Sequence, residues 1–326
     1  MDVNIINEKE IRKAISLDRR TIAAAESAFI KYASGDVVMP PVMQVLVDEF
    51  GGQSCVKAGH MKGDPFFVIK LASLFPRNQL LKLPNSSGLS LIVNAQTGVV
   101  DTILFDNGYL TAIRTAAAGA VSAKYLSRSD ASSVALIGAG NQARLQLNAL
   151  SIVRDIQSVS VWSHTDASSQ RFAEEMAEAL GITVTAVSSA QLAVQQADII
   201  VTTTPSRVPI IQADWVKPGV HITAVGSDAP GKKELAPDLV ATANHYICDS
   251  YQQCKLLGEL GAAYQSGVLD AEPNAVELGD VVTGKHRFQR GSRDISICDL
   301  TGLGIQDVEI ALLAKSILKP GQMKVS

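Results

Sequence analysis

The sequence predicts an α/β protein, in which a Rossmann-like, doubly wound parallel sheet is joined to a separate α+β domain. Three observations carry this reading. Residues 134–137, Val-Ala-Leu-Ile, run into Gly138-Ala139-Gly140-Asn141-Gln142-Ala143. An apolar strand entering a Gly-x-Gly-x-x-Ala turn and then a helix is the fingerprint of a dinucleotide-binding βαβ unit. From residue 134 to 225, apolar runs of strand length alternate with stretches of helical period, which predicts parallel strands covered by helices. Before residue 120 the pattern changes to short alternating segments between turn residues, the mark of a mostly antiparallel sheet.

In chain order, residues 18–34 place Ile22, Ala25, Phe29 and Ile30 at helical spacing and predict an amphipathic helix. Strands are expected at 42–47, 54–60, 66–74, 87–94 and 99–105, punctuated by Gly51-Gly52, Lys62-Gly63-Asp64 and Thr97-Gly98. Residues 110–125 predict a helix of small side chains (Thr-Ala-Ile-Arg-Thr-Ala-Ala-Ala-Gly-Ala at 111–120) that packs closely and connects the two domains. Then come strand 134–137, helix 142–152, strand 158–162, helix 167–180 stopped by Gly181, strand 182–187, a short helix 190–196, and strands 199–203 and 221–225. The amphipathic segment 305–318 predicts a last helix that returns to the first domain. The expected division is therefore 1–118 with 305–326 for the α+β domain and 119–304 for the Rossmann-like domain.

Composition narrows the function. With 326 residues, 47% hydrophobic and 19% charged, the chain can bury sizeable cores. A net charge of −3 argues against nucleic acid or an acidic membrane as partner. No apolar run approaches the roughly 18 residues of a membrane span, and Met1-Asp2-Val3-Asn4 does not resemble a signal peptide. Cys55, Cys248, Cys254 and Cys298 lack C-x-x-C spacing and read as reduced thiols of a cytoplasmic protein. The five histidines are scattered, so no metal site is expected.

Within the fingerprint, Gly138 permits the tight turn, Gly140 lets backbone approach a pyrophosphate, and Ala143 lets helix and strand pack closely. The N–H groups of Asn141 and Gln142 at the helix start face the phosphates. At the carboxyl edge of the predicted sheet lie Thr203, and Val225-Gly226-Ser227-Asp228. The tip of the second strand reads Ser163-His164-Thr165, without the acid that usually holds the ribose hydroxyls of NAD. Small hydroxyls and a histidine can accept a 2′-phosphate, so NADP(H) is favoured and NAD(H) stays open.

Lys70 closes the apolar run Phe66-Phe67-Val68-Ile69. A buried ammonium must be paired or titrate low, which makes Lys70 a candidate acid/base or carboxylate ligand; the alternative is a strand-end lysine reaching water. Lys57 has the same ambiguity. Arg114 has no acid three or four residues away, so its fork suits a substrate carboxylate or a distant acid. Asp228, at the end of a late strand, is placed to shuttle a proton or orient an amine, or simply to form the turn before Pro230-Gly231. Gly302-Leu303-Gly304-Ile305-Gln306-Asp307 is either a cap, with Asp307 favouring the helix start, or a loop closing over the nicotinamide through Gly304.

Several stretches resemble one family together: Asp106-Asn107-Gly108-Tyr109-Leu110-Thr111-Ala112-Ile113-Arg114-Thr115-Ala116-Ala117, the turn at 137–143, Gly226-Ser227-Asp228-Ala229-Pro230-Gly231-Lys232-Lys233-Glu234-Leu235, the segment 277–284, and 301–307. The chain resembles the ornithine cyclodeaminase/mu-crystallin family, including its Δ1-pyrroline-2-carboxylate reductases, over nearly its whole length. The resemblance implies a homodimer built through the first domain, which also binds substrate. It implies Lys70 and Arg114 at the substrate, Asp228 near the nicotinamide and Thr115 near the cofactor phosphates. Two departures bear on substrate. Pro40-Pro41-Val42-Met43 lacks the arginine many members carry there, and Lys57 stands where the cyclodeaminases place a glutamate for the distal ammonium. A cation there repels ornithine or lysine, so Met43 and Lys57 point to a smaller or cyclic substrate. The expected activity is NAD(P)H-dependent reduction of a cyclic ketimine, Δ1-pyrroline-2-carboxylate to L-proline or its six-membered piperideine analogue. The alternatives are a cyclodeaminase, an amino-acid dehydrogenase, and a non-catalytic crystallin-like binding protein.

Overall fold

The computed structural model of the protein describes residues 2–269, 275–318 and 322–324. The chain divides into two compact units, Met1–Arg114 with Leu303–Ser326, and Thr115–Gly302. Both breaks fall a little before the positions expected from sequence, 118 and 304. The first lies inside the unbroken Tyr109–Leu126 helix, where no sequence signal marks a boundary.

In the first unit the strands are β1 (Asp2–Asn7), β2 (Val37–Val38), β3 (Met43–Val47), β4 (Gly52–Met61), β5 (Phe66–Leu74), β6 (Ser86–Asn94) and β7 (Val100–Phe105). The terminal strand Gln322–Lys324 opens a sheet that continues β1-β7-β6-β5-β4-β2, with β3 also paired to β4. The pairs are antiparallel except β1 with β7. Strand β1 and the Glu8–Ala14 helix after it have no counterpart in the sequence reading. Asn7 ends the strand and caps the helix by accepting the Glu10 N–H at 3.1 Å, so the change of structure happens at one residue.

Register decides which side chains share a face. Lys57, Lys70, Ser90 and Leu104 lie directly opposite one another across β4 to β7. The Gly304–Ile317 helix packs on β4, on β5 and on the Arg19–Ser34 helix. Glycine at 59 is what lets it approach, because a Cβ there would stand 2.8 Å from Val308 Cγ2. Gly59 is two residues from Lys57, so Lys57 and Lys70 are on the face that this helix covers.

The second unit holds β8 (Ser133–Ile137), β9 (Ser158–Trp162), β10 (Thr183–Ala186), β11 (Ile199–Thr202), β12 (His221–Ala224), β13 (His245–Cys248), β14 (Val276–Glu277) and β15 (Ser296–Asp299). They pair in the order β10-β9-β8-β11-β12-β15-β13-β14, every pair parallel. This is the expected doubly wound sheet. Strand order reverses between β8 and β11, the switch point beside which such sheets bind ligands. Strands β13 to β15 were not anticipated; β15 is four buried residues, Ser-Ile-Cys-Asp, with a polar side chain at each end. Within this unit the small-residue helix gives Gln146 its place: a Cβ on Gly119 would sit 2.0 Å from Gln146 Oε1. Among the described residues no helix is long and apolar enough to cross a membrane.

Candidate active-site cluster and dinucleotide turn

The turn after β8 has the geometry its sequence requires. Gly138 has φ +109°, and a Cβ there would lie 2.6 Å from Thr203 Oγ1. Both the backbone and the neighbour demand glycine. Gly140 has an ordinary φ of −83° as the residue before the Asn141–Val153 helix, and a Cβ there would meet nothing of the chain within 4 Å. Glycine at 140 therefore has no internal steric reason; it keeps the helix N-terminus open to a ligand. Ala143 is fully buried, and Gln142 Nε2 is buried with no hydrogen-bond partner among the described residues. An open helix start with a bare donor beside it fits a dinucleotide phosphate.

Around the turn, Thr203 donates its backbone N–H to the Ile137 carbonyl at 2.9 Å. The Thr115 carbonyl accepts Gln146 Nε2 at 3.1 Å. Ser163 Oγ lies 2.9 Å from Ser169 Oγ, Thr165 Oγ1 donates to Ser168 Oγ at 2.6 Å, and the His164 ring stands edge-on to Trp162. The hydroxyls at this strand tip thus tie down the start of the Asp166–Leu180 helix.

The loop from Gly226 to Glu234 is held by buried carboxylates that the sequence reading did not single out. Glu234 accepts the Thr204 N–H at 2.6 Å and the Gly226 N–H at 2.9 Å, stapling the ends of β11 and β12 together. Burial pushes its pKa up to about 7. Glu259 in turn accepts the N–H groups of Glu234 and Leu235. On that framework Val225 is buried, Ser227 Oγ donates to the Lys232 carbonyl at 2.8 Å, and Asp228 pairs with Lys232 at 2.5 Å with its side chain 54% exposed.

In the first unit, Lys70 and Arg114 come together with a residue the sequence reading treated only as a possible cap. Asp307 is buried, 3% exposed, in the Gly304–Ile317 helix. Its Oδ1 accepts Lys70 Nζ at 2.9 Å and Arg114 Nε at 3.0 Å. Arg114 Nη1 also donates to Gln306 Oε1 at 3.1 Å. Asp307 Oδ2 and Gln306 Nε2 are buried without a partner among the described residues. The sequence signal was present in Gln306-Asp307 after Gly304, but nothing local distinguishes a helix-start acid facing water from one facing two cations.

The Lys70 ammonium is lowered to about 8, chiefly by burial and further by the charges of Arg114 and Lys57, with Asp307 opposing the fall. Burial alone would raise Asp307, yet Lys70, Arg114 and Lys57 hold its carboxyl well below the usual carboxylate range. Asp106, whose Oδ2 accepts the Leu110 N–H at 2.9 Å, is raised by burial. Three cations thus face two carboxylates, Asp307 firmly ionised and Asp106 raised by burial, an arrangement suited to an anionic ligand.

The remaining sequence candidates divide. Lys57, opposite Lys70, belongs to this cluster. Met43 does not: it pairs with Val56, one residue from Lys57, and so lies on the other sheet face, 57% exposed. Strand register thus separates Met43 from Lys57. Gly304 has a packing reason for being glycine, since a Cβ there would stand 2.9 Å from the Ala58 carbonyl oxygen.

Residues 1–319 match the family model for the ornithine cyclodeaminase/mu-crystallin family. The chain belongs to that family. It is 43% identical over 312 residues to a protein of Rhizobium meliloti (strain 1021) that carries a dehydrogenase name without a stated substrate, covering 96% of this chain and 94% of that one. An archaeal alanine dehydrogenase dimer with bound NAD superposes with a TM-score of 0.91 at 32% identity, covering 99% of each chain. The Δ1-pyrroline-2-carboxylate reductase of Thermococcus litoralis, in complex with NADH and L-proline, gives a TM-score of 0.89 at 29% identity, covering 96% of this chain and 97% of that one. The relatives of this chain thus include nicotinamide-dependent oxidoreductases of amino and imino acids.

Proposed function

We propose that this protein is an NAD(P)H-dependent ketimine reductase whose substrate is a cyclic imino acid, Δ1-pyrroline-2-carboxylate reduced to L-proline, with Δ1-piperideine-2-carboxylate as the six-membered analogue. The observation that carries this reading is the buried trio in which Lys70 and Arg114 share one oxygen of Asp307. Arg114 binds the substrate carboxylate through its remaining donors, and Lys57 adds positive charge beside it. Lys70, poised near 8, supplies the proton that makes the imine nitrogen cationic and its carbon electrophilic. The reduced nicotinamide, when bound, supplies hydride to that carbon. Two electrons and one proton arrive as hydride and a second proton from Lys70, so C=N becomes CH–NH and Lys70 is reprotonated from solvent. Gly138, Gly140, Asn141, Gln142 and Ala143 hold the pyrophosphate. Ser163, His164 and Thr165 form the ribose side, where the missing acid favours NADP(H) over NAD(H). Thr115, Thr203, Val225, Gly226, Ser227 and Gly304 complete the proposed cofactor contacts.

A cation in place of an acid at Lys57 speaks against a diamino acid and so against cyclodeamination. Run in reverse, the same groups would oxidise an amino acid, as the likeness to an alanine dehydrogenase suggests. The cluster's buried, low-titrating lysine favours chemistry over simple ligand storage. We also propose a homodimer formed by the first unit. Val45, Leu46, Leu80 and Leu81 are 51%, 60%, 83% and 69% exposed, large apolar side chains of the kind that a second copy would cover. Light scattering should give twice the 34.5 kDa of the chain, and a monomer mass would refute the dimer.

The direct test is loss of absorbance at 340 nm with Δ1-pyrroline-2-carboxylate and NADPH or NADH in separate cuvettes. Stoichiometric proline formation is expected, faster with NADPH; no loss with either cofactor would remove this substrate. In the same assay Asp228→Ala should lose turnover while still binding cofactor, and full activity would exclude Asp228 from the reaction.

A further inference from the structure

We infer that Asp307 is a positioning residue that sets the protonation state of Lys70, by dividing a single carboxylate oxygen between Lys70 and Arg114 inside the buried face of the first sheet. The inference rests on the ketimine-reductase reading for its catalytic meaning, but its physical content stands on unit geometry alone. A structural ion pair that satisfies two cations would offer each its own oxygen. Here Oδ1 takes both, at 2.9 Å and 3.0 Å, and Oδ2 has no partner among the described residues. Lys70 therefore holds a shared acceptor rather than a private one.

The groups facing Lys70 come from every element packed on it. Asp307 comes from the Gly304–Ile317 helix, Arg114 from the Tyr109–Leu126 helix, Lys57 from β4, and Asp106 from the turn after β7; Ser90 stands opposite on β6. Two of these are cations, Asp307 is the firmly ionised acid, and Asp106 titrates high through burial. Asp307 is thus the main influence keeping the buried ammonium charged near neutral pH, and Arg114 limits how far it does so. A lysine held fully by one carboxylate would stay charged and be a poor proton donor; a lysine with none would be neutral and have no proton to give. Sharing the oxygen leaves it between the two.

The test is the titration of the Lys70 side chain by NMR in protein labelled at the lysine ε-carbon, with Lys70→Arg identifying its resonance. The midpoint is expected near 8 in the wild type. In Asp307→Asn it should fall by about one pH unit or more, as expected on losing an opposite charge in contact. In Arg114→Gln it should rise, because Lys70 then has the oxygen to itself. A midpoint that stays put in Asp307→Asn, or that fails to rise in Arg114→Gln, overturns the inference; the second variant decides the matter if the first does not fold. Retained cofactor binding reports that the second unit is intact in each variant. In turnover, the falling limb of kcat/KM near pH 8 should move to lower pH in Asp307→Asn, with about fivefold lower activity at pH 8 and near-normal activity below pH 6. A purely structural role would lower activity at all pH values without moving the limb. If the wild type turns over no imine, the functional reading fails while the lysine titration still decides this one.

Discussion

Arg114→Gln is expected to lower kcat/KM for Δ1-pyrroline-2-carboxylate by about a thousandfold while leaving cofactor affinity unchanged. Arg114 is only 7% exposed, and its guanidinium is oriented at two points, Nε on Asp307 and Nη1 on Gln306. That leaves part of the planar fork directed by its neighbours and available to a carboxylate, the geometry in which arginine outperforms lysine. Truncating one partner of a buried, hydrogen-bonded charge pair in binding costs about 2–5 kcal/mol, and about 1.4 kcal/mol is a factor of ten. Glutamine keeps much of the volume, and Asp307 retains Lys70 as a counter-charge, so the folded state should survive. Steady-state kinetics with a parallel fluorescence titration of the cofactor separates the two effects. A loss smaller than tenfold would mean that the substrate carboxylate is bound elsewhere, with Lys57 as the next candidate.

The glycine turn makes the second large prediction, through two substitutions that should fail in different ways. Gly138→Ala places a side chain at φ +109° and 2.6 Å from Thr203 Oγ1. Strained backbone of this kind costs about 1–3 kcal/mol before any clash is counted, so both thermal stability and cofactor binding should drop. Gly140→Ala meets nothing of the chain within 4 Å and has a φ any residue adopts. Its melting temperature should match the wild type, yet its affinity for the dinucleotide should fall by about tenfold or more, because the added methyl occupies the approach to the helix N-terminus. If Gly140→Ala binds both cofactors normally, the pyrophosphate does not lie over that residue. If Gly138→Ala is as stable as the wild type, the turn is less constrained than its geometry says.

Much of the second unit could be read from the chain because its signals are local. The turn at 138–143 needs small residues within a six-residue span, and the parallel strands β8 to β12 are apolar runs bounded by recognisable stops. Strands β13 and β15 escaped because their burial comes from neighbours far away in sequence. Glu234 and Glu259 escaped as well: a glutamate in a loop or at a helix start looks solvated until the backbone N–H groups that it accepts are brought to it.

Lys70 and Arg114 stood out from sequence as cations without local partners, and that reading depended only on the cost of burying charge. Which partner they have was invisible, since Asp307 lies 237 residues from Lys70 and 193 from Arg114. Met43 shows the limit in another way. The family resemblance made it a substrate-binding candidate along with Lys57, but a strand turns successive side chains to opposite faces, and the pairing of Met43 with Val56 puts the two on different faces. The chain's local chemistry thus specifies the glycine turn, the parallel sheet and the two cations without local partners, because each follows from neighbouring residues and the energetics of burial. Register and long-range packing specify that those cations share one oxygen of Asp307, because only folding brings β5, the Tyr109–Leu126 helix and the Gly304–Ile317 helix onto the same few ångströms of space.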